Sequence, residues 1–557
     1  MSDALEWPHV IVRVLALLLI VGVPIVAVLA WYHGVRALKR VSGSELILIA
    51  LLLVIGGSLM WLYPHAPAEH AAPAMAGNVA KPLAVAVSTP PVFAPPAHSI
   101  AVLPFVNMSA DAKQEYFSDG ITEELLNSLS RLNDLQVAAR TSSFSFKGKD
   151  VDVATIARKL NVGAVLEGSV RRAGNTVRIT VQLINAVSGF HIWSQTYDRN
   201  LTDILKLQAD VATSVARQLE VKLVGDETAK IELGGTKNPE AYDAYLRGQQ
   251  LNRKVDSKEA DYRKSLAAFD YAISLDPNFA AAYARRASTL DAVYYATSDI
   301  SARIGLNQQA RIAAERAVAL APQLGEAHHA LAITYVRGAP DLTQASREFR
   351  RSLELAPGSA WVQVNTGWFD CWLGQFEAAV AAARRAVSLD PRNVRIRGVL
   401  GQILIYARRY SEAQVAFQDA QVLAPDSHDL EAGITSVFLA SGQFEKARRA
   451  CEAPSTPLDA GDRHYCLALV YHALSRKADA ERELEQFKAV DGDTAVFRYA
   501  EVYAQWGDKV SALHWLAQAE QLHDASLVEL RVDPFLDPIR NEPQFKAIEG
   551  RLNFPRS

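Results

Sequence analysis

The sequence predicts an N-terminal transmembrane helical hairpin, a small α/β domain with a mixed sheet, and then a right-handed α-solenoid. Three observations predict it. Two long apolar runs open the chain, and a Pro/Ala-rich stretch follows them. From Ser99 strand-like and helix-like patterns alternate for about 125 residues. From residue 239 onward one helix–turn–helix pattern returns every 34 residues: Pro357, Pro391 and Pro425 fall 34 apart, and "GQFEAA" at Gly374 is restated as "GQFEKA" at Gly442.

Residues 1–9 are a short acidic flank. Residues 10–63 hold the two apolar runs. The first, 10–32, carries one charge, Arg13; the second, 46–63, is 18 residues long and spans about 27 Å as a helix. Trp7, Trp31, Tyr32, Trp61 and Tyr63 stand at the ends of the runs, where interfacial aromatics belong. A cleaved signal peptide fits poorly, because the leading residues are acidic and a second run follows. The connecting loop carries Arg36, Lys39 and Arg40, which places it in the cytoplasm and both termini outside. The expectation is a protein of the bacterial inner membrane with its soluble domains in the periplasm.

Residues 64–98 contain eight prolines and few charges, a composition that buries no core. They read as a tether with a reach of about 100 Å.

In 99–225, "SIAVLPFVN" and "LQVAAR" read as strands. "SDGITEELLNSLSRL" and "DVATIARKLNV" read as amphipathic helices, with Asp119 or Thr122 capping the former and Glu123–Glu124 in its first turn. Three further runs, "AVLEGSVRR", "TVRITVQLIN" and "FHIWSQTYDR", are separated by short turns and predict an antiparallel meander. The blocks "SIAVLPFVNMSADAKQEYFSDGITEELLNSLSRL", "ARTSSFSFKGK", "VLEGSVRR" and "GFHIWSQTYDR" resemble the TolB-amino-terminal-like (FlgO-like) domain family. The resemblance implies a domain between a membrane segment and a helical repeat array. It also implies an upstream output module, a class III nucleotide cyclase or a winged-helix DNA-binding domain, and often one more membrane span. This chain contains neither module.

The 34-residue rhythm of 239–521 is the tetratricopeptide pattern, with seven or eight repeats. Gly367 and Gly401 fall where paired helices touch, and Gly374 and Gly442 at the turn, where Arg408 replaces glycine. Residues 522–557 read as a segment that caps the last repeat.

The residue types point to binding and not to catalysis. Net charge is −3, which recommends no nucleic-acid partner. No H-E-x-x-H, C-x-x-C, phosphate loop or nucleophile elbow is present, so neither a metal, a cofactor nor a small-molecule substrate is expected. His191 alternates with Trp193 along a strand and reads as a packed residue. Repeat counting puts Trp361, Val364 and Trp368 of one unit, and Arg395, Gly398 and Gln402 of the next, on the side that lines a groove. Aromatics beside an arginine suit an extended peptide with an acidic group; the competing reading is inter-repeat packing and a solvated charge. Cys451 and Cys466, 15 residues apart on neighbouring helices, are either a disulfide or two buried thiols. Two functions stand at this point: a scaffold for protein or peptide partners in the envelope, or the sensory part of a signalling system whose output domain is absent.

Overall fold

In the computed structural model of the chain the described residues are 93–132, 134–221, 233–252, 258–297, 299–337 and 340–555. The predicted spans within 10–63, the N-terminal flank and most of the tether lie outside them. Among the described residues no helix is long and apolar enough to cross a membrane.

Six strands form one mixed sheet: β1 Ser99–Val102, β2 Val106–Asn107, β3 Gln136–Val137, β4 Ala164–Ala173, β5 Thr176–Asn185 and β6 His191–Asn200. Their order is β3-β1-β4-β5-β6, with β2 beside β4. β1 runs parallel to both β3 and β4, and β4, β5 and β6 form the predicted antiparallel meander. Alternation along β1 explains the two layers. Ile100 and Val102 face α1 (Glu115–Ser130) and α4 (Ile204–Gln218), whereas Ala101 packs with α3 (Val153–Leu160); the short α2 is Arg140–Phe144.

Three local expectations change. Helix α1 begins at Glu115, so Asp119 and Thr122 lie inside it and Glu123–Glu124 are past its first turn. Thr122 instead ties the helix to the strand end, accepting from the Phe105 N–H at 3.0 Å while donating to the Ser118 carbonyl. The strand read from "LQVAAR" shortens to two residues, because Arg140 already belongs to a helix. His191 lies exposed on β6, not packed.

The array consists of eight helical hairpins. The first four are α5 Pro239–Leu251 with α6 Glu259–Leu275, α7 Ala280–Ala296 with α8 Ile300–Leu320, α9 Gly325–Val336 with α10 Leu342–Leu355, and α11 Ala360–Trp372 with α12 Phe376–Leu389. The last four are α13 Val394–Tyr406 with α14 Tyr410–Gln421, α15 His428–Ala440 with α16 Phe444–Glu452, α17 Ala460–Ala473 with α18 Lys477–Asp491, and α19 Val496–Gln505 with α20 Lys509–Gln521. This is a tetratricopeptide solenoid. The small residues have a direct cause: a Cβ at Gly401 or Gly433 would meet the Phe417 ring at 2.6 or 2.3 Å. Phe417 therefore fills the space between α13 and α15 that the two glycines leave. Gly374 and Gly442 take φ of +78° and +72° at the turns, and Arg408 takes +60° at the equivalent place.

The array is not a separate unit from the α/β domain. Tyr242, Tyr245 and Leu246 of α5 and Phe269 of α6 share one buried core with Phe117 and Leu125 of α1. Asp243 ties the pair together, accepting from the Tyr116 hydroxyl at 2.6 Å and from Arg172 at 2.7 Å. The first repeat thus closes the open face of the small domain, which the boundary read at 225–239 did not anticipate.

The segment after α20 departs from a simple end cap. Helix α21, Pro543–Arg551, does cover α20, through Arg551–Glu520 and Lys509–Glu542 ion pairs. The stretch before it runs back along the first helices of earlier hairpins. Glu529 accepts from the Tyr406 hydroxyl at 2.7 Å, the Phe535 carbonyl accepts from Gln505, and Phe535 stacks edge-on with Tyr465. Arg408 binds the Val532 carbonyl at 2.7 Å and both oxygens of Asp537. These contacts explain how a non-glycine residue holds a left-handed conformation: three charge-assisted bonds offset a strain of about 1 kcal/mol.

Candidate functional site

A second junction joins the α/β domain to the fourth and fifth hairpins. Asp390, at the end of α12, accepts from both the backbone N–H and the hydroxyl of Ser142 on α2, at 3.0 and 2.6 Å. The Ser142 oxygen accepts in turn from the Arg392 N–H, and the Arg392 side chain reaches Ser145 and the face of Phe146. Asp390 is buried, and burial pushes its carboxyl up while the Ser142 and Asn393 hydrogen bonds oppose the shift.

Between this junction and the first repeat a cleft of about 500 Å³ remains open. Helices α1 and α2 line one wall; α5, α7, α9, α11 and the start of α13 line the others. Its charges are mostly matched. Glu123 pairs with Arg140 at 2.6 Å and with Arg285 at 3.6 Å, and Arg131 pairs with Glu326 at 3.3 Å. Glu124 accepts from Tyr245 and Gln249, and burial pushes its carboxyl up against the pull of Arg285. Burial, the largest single effect, would raise Glu326 too, but Arg131, a backbone hydrogen bond and Arg285 together hold that carboxyl low. His329 is buried with no hydrogen bond to Nε2, and burial lowers its pKa to about 4, so the ring is neutral at pH 7.

At the mouth the Arg395 guanidinium lies 5.1 Å over the ring of Trp361, which is 40% exposed. Arg395 is itself exposed and has no carboxylate partner among the described residues. Stacking holds the planar fork in place while leaving its donors free.

The six groove residues read from the repeats therefore separate. Trp361 and Arg395 meet at the cleft. Val364 does not reach it: the side chain is 1% exposed and packs with Ala386, Leu389 and Ile396 between repeats. Trp368 is half-buried, 5.8 Å from both Trp372 and Tyr406, on the side that the C-terminal segment covers through Glu529. Gly398 and Gln402 are half-buried and line no part of the cleft. Repeat counting carries no information on which parts of a helix face the chain covers with its own segments. The cleft residues contributed by α1 and α2 were hidden for the same reason, since they come together across the junction. Cys451 and Cys466 lie with Cα atoms 6.4 Å apart and their sulfurs bonded, on α16 and α17; Cys371 is free and buried.

Residues 96–214 match the family described as HilA/YgeH-like transcriptional regulator, second domain, a different description from the TolB-amino-terminal-like blocks noted in the sequence. Residues 373–393 match the tetratricopeptide repeat family. A Rhizobium meliloti (strain 1021) protein named "Putative adenylate cyclase 3" is 43% identical over 196 residues, which are 35% of this chain and 33% of that protein. The chain thus spans about a third of the length of the curated relative it matches. Among solved structures, a thermophilic tetratricopeptide protein of Thermus thermophilus is 22% identical, covering 36% of this chain and 99% of its own, with a TM-score of 0.30. A tetratricopeptide repeat protein from Parabacteroides merdae ATCC 43184 is 14% identical, covering 47% and 99%, with a TM-score of 0.35. Neither structural likeness bears on function.

Proposed function

We propose that the chain is a protein-binding scaffold, anchored in the bacterial inner membrane by residues 10–63 and presenting a TolB-amino-terminal-like domain and its solenoid to the periplasm. The cleft between them takes a segment of the partner that carries a carboxylate. One observation carries this reading: Arg395, stacked on exposed Trp361, is a pre-ordered guanidinium without a carboxylate partner among the described residues. A bidentate carboxylate completes it, and the open face of the tryptophan supplies an apolar anchor. The charges Arg36, Lys39 and Arg40 between the two apolar runs support export of everything that follows. The reading assigns no catalytic step and no cofactor.

A second reading, the sensory part of a signalling system, is favoured by a different observation. The region shared with a cyclase-named relative is only a third of that protein, and the α/β domain matches a domain of transcriptional regulators. On this reading the shared region is regulatory, and the output unit belongs to another chain or to the remainder of such relatives.

Affinity capture with full-length protein in detergent tests the first reading. Arg395→Ala should weaken capture of the wild-type partner by about 1–3 kcal/mol with folding unchanged. Undiminished capture by both Arg395→Ala and Trp361→Ala contradicts it. Export has its own test, a reporter active only in the periplasm fused after Ser557; activity from a cytoplasmic reporter there rejects the topology.

A further inference from the structure

A second crevice, of about 630 Å³, lies on the α/β domain and shares no lining residue with the cleft. Its position follows from the topology. The chain leaving β1 turns to α1 on one face of the sheet, and the chain leaving β3 passes through α2 before it reaches α3 on the other. The segment Leu103–Asn107, which follows β1 and includes β2, and the segment Phe146–Val151, which joins α2 to α3, border the crevice.

The floor is built from the opposite side chains to those of the core. Leu166, Val170, Ile179 and Val181 point into the core, while the cross-strand pairs Glu167–Gln182 and Ser169–Thr180 line the crevice, all four half-buried. The walls are apolar, from Phe146, Val151 and Ile156. Two charges of opposite sign border this polar floor. Lys149 is exposed and follows Gly148, whose φ of +68° sets the turn, and Glu167 is half-buried on β4. Neither forms an ion pair among the described residues, whereas neighbouring Lys147 is matched by Glu115 and Asp119. A carboxylate without a cation partner among the described residues can accept charge-assisted hydrogen bonds from a ligand ammonium group.

We propose that this crevice binds a small zwitterion, a free amino acid or a short peptide, with its ammonium group on Glu167 and its carboxylate on Lys149. Ser169, Thr180 and Gln182 supply hydrogen bonds between the two ends, and the apolar walls take the ligand's carbon skeleton. The volume suits a ligand of this size. The site stands independently of the partner cleft, so its failure leaves that reading intact.

Calorimetric titration of full-length protein in detergent tests it, with glutamine and glycylglycine as zwitterions and acetate and ethylamine as single-charge controls. Saturable binding of at least one zwitterion, with neither control binding, is expected; which one binds separates amino acid from peptide. Lys149→Gln and Glu167→Gln should each weaken it about tenfold, and Lys149→Arg should retain it. The proposal is overturned if neither zwitterion binds below about 10 mM, if acetate binds as well as they do, or if both neutral variants bind like wild type.

Discussion

The Ser142 hydroxyl donates to Asp390 Oδ1 at 2.6 Å, joining positions 248 residues apart across the junction of the α/β domain and the solenoid. The same oxygen accepts from the Arg392 N–H, so one serine satisfies groups on both sides. Ser142→Ala leaves a buried carboxylate and a backbone N–H each short of a partner. It should cost about 1–3 kcal/mol. Hydrogen exchange should show lost protection at residues 139–145 and 390–393 together, with the sheet unaffected.

Arg408 separates backbone strain from side-chain contacts. Arg408→Ala retains the strained φ of +60° and loses the bonds to Val532 and Asp537; Arg408→Gly loses the same bonds and relieves the strain. Both variants should melt below wild type, with glycine the more stable of the two by about 1 kcal/mol. Chemical denaturation measures the difference. Equal stability of the two variants would show that the turn carries no strain.

Much of this architecture was legible in the sequence because each part has its own period. The 34-residue prolines, the alternation in "TVRITVQLIN" and the apolar spacing in "DVATIARKL" all report local geometry, and the eight hairpins, the meander and α3 follow them. The contacts that define the cleft are not local. Val364 and Trp361 occupy the same predicted face, yet one is sealed between repeats and the other exposed, because helix phase does not specify neighbours. Glu529 and Asp537 read as part of a cap, and nothing in their spacing announces Tyr406 or Arg408, more than a hundred residues earlier.

Glu529 gives the C-terminal segment a pH dependence. Burial lifts its pKa from the ordinary 4.5 to about 7, with Asp533 adding to the shift and Tyr406 opposing it. A carboxyl whose folded pKa is raised binds more protons folded than unfolded. Its contribution is fully present below about pH 4.5 and is lost as pH rises through 7. Glu529→Gln removes that loss. The variant should therefore gain on wild type between pH 5 and 8 by on the order of 1–2 kcal/mol, since partial exposure screens the full shift. Urea midpoints at several pH values check this, and a pH-independent difference would reject it.

The Cys451–Cys466 pair links protein chemistry to compartment. In an exported domain the bridge should be present, so denatured protein isolated without reductant should expose one reactive thiol, Cys371. Reduction should lower stability by about 3 kcal/mol for a loop of this length. Three reactive thiols before reduction would argue against both the bridge and export.

The central claim is that the cleft bordered by Trp361 and Arg395 holds a partner protein, and site-specific photocrosslinking in cells tests it most directly. Full-length protein carries a photoreactive phenylalanine at Thr141, an exposed residue of the cleft wall, or at Val422, 81% exposed and absent from its lining. The account predicts a discrete protein adduct from position 141, none from 422, and loss of the 141 adduct in the Arg395→Ala background. No adduct at 141, or one that persists undiminished without Arg395, contradicts it.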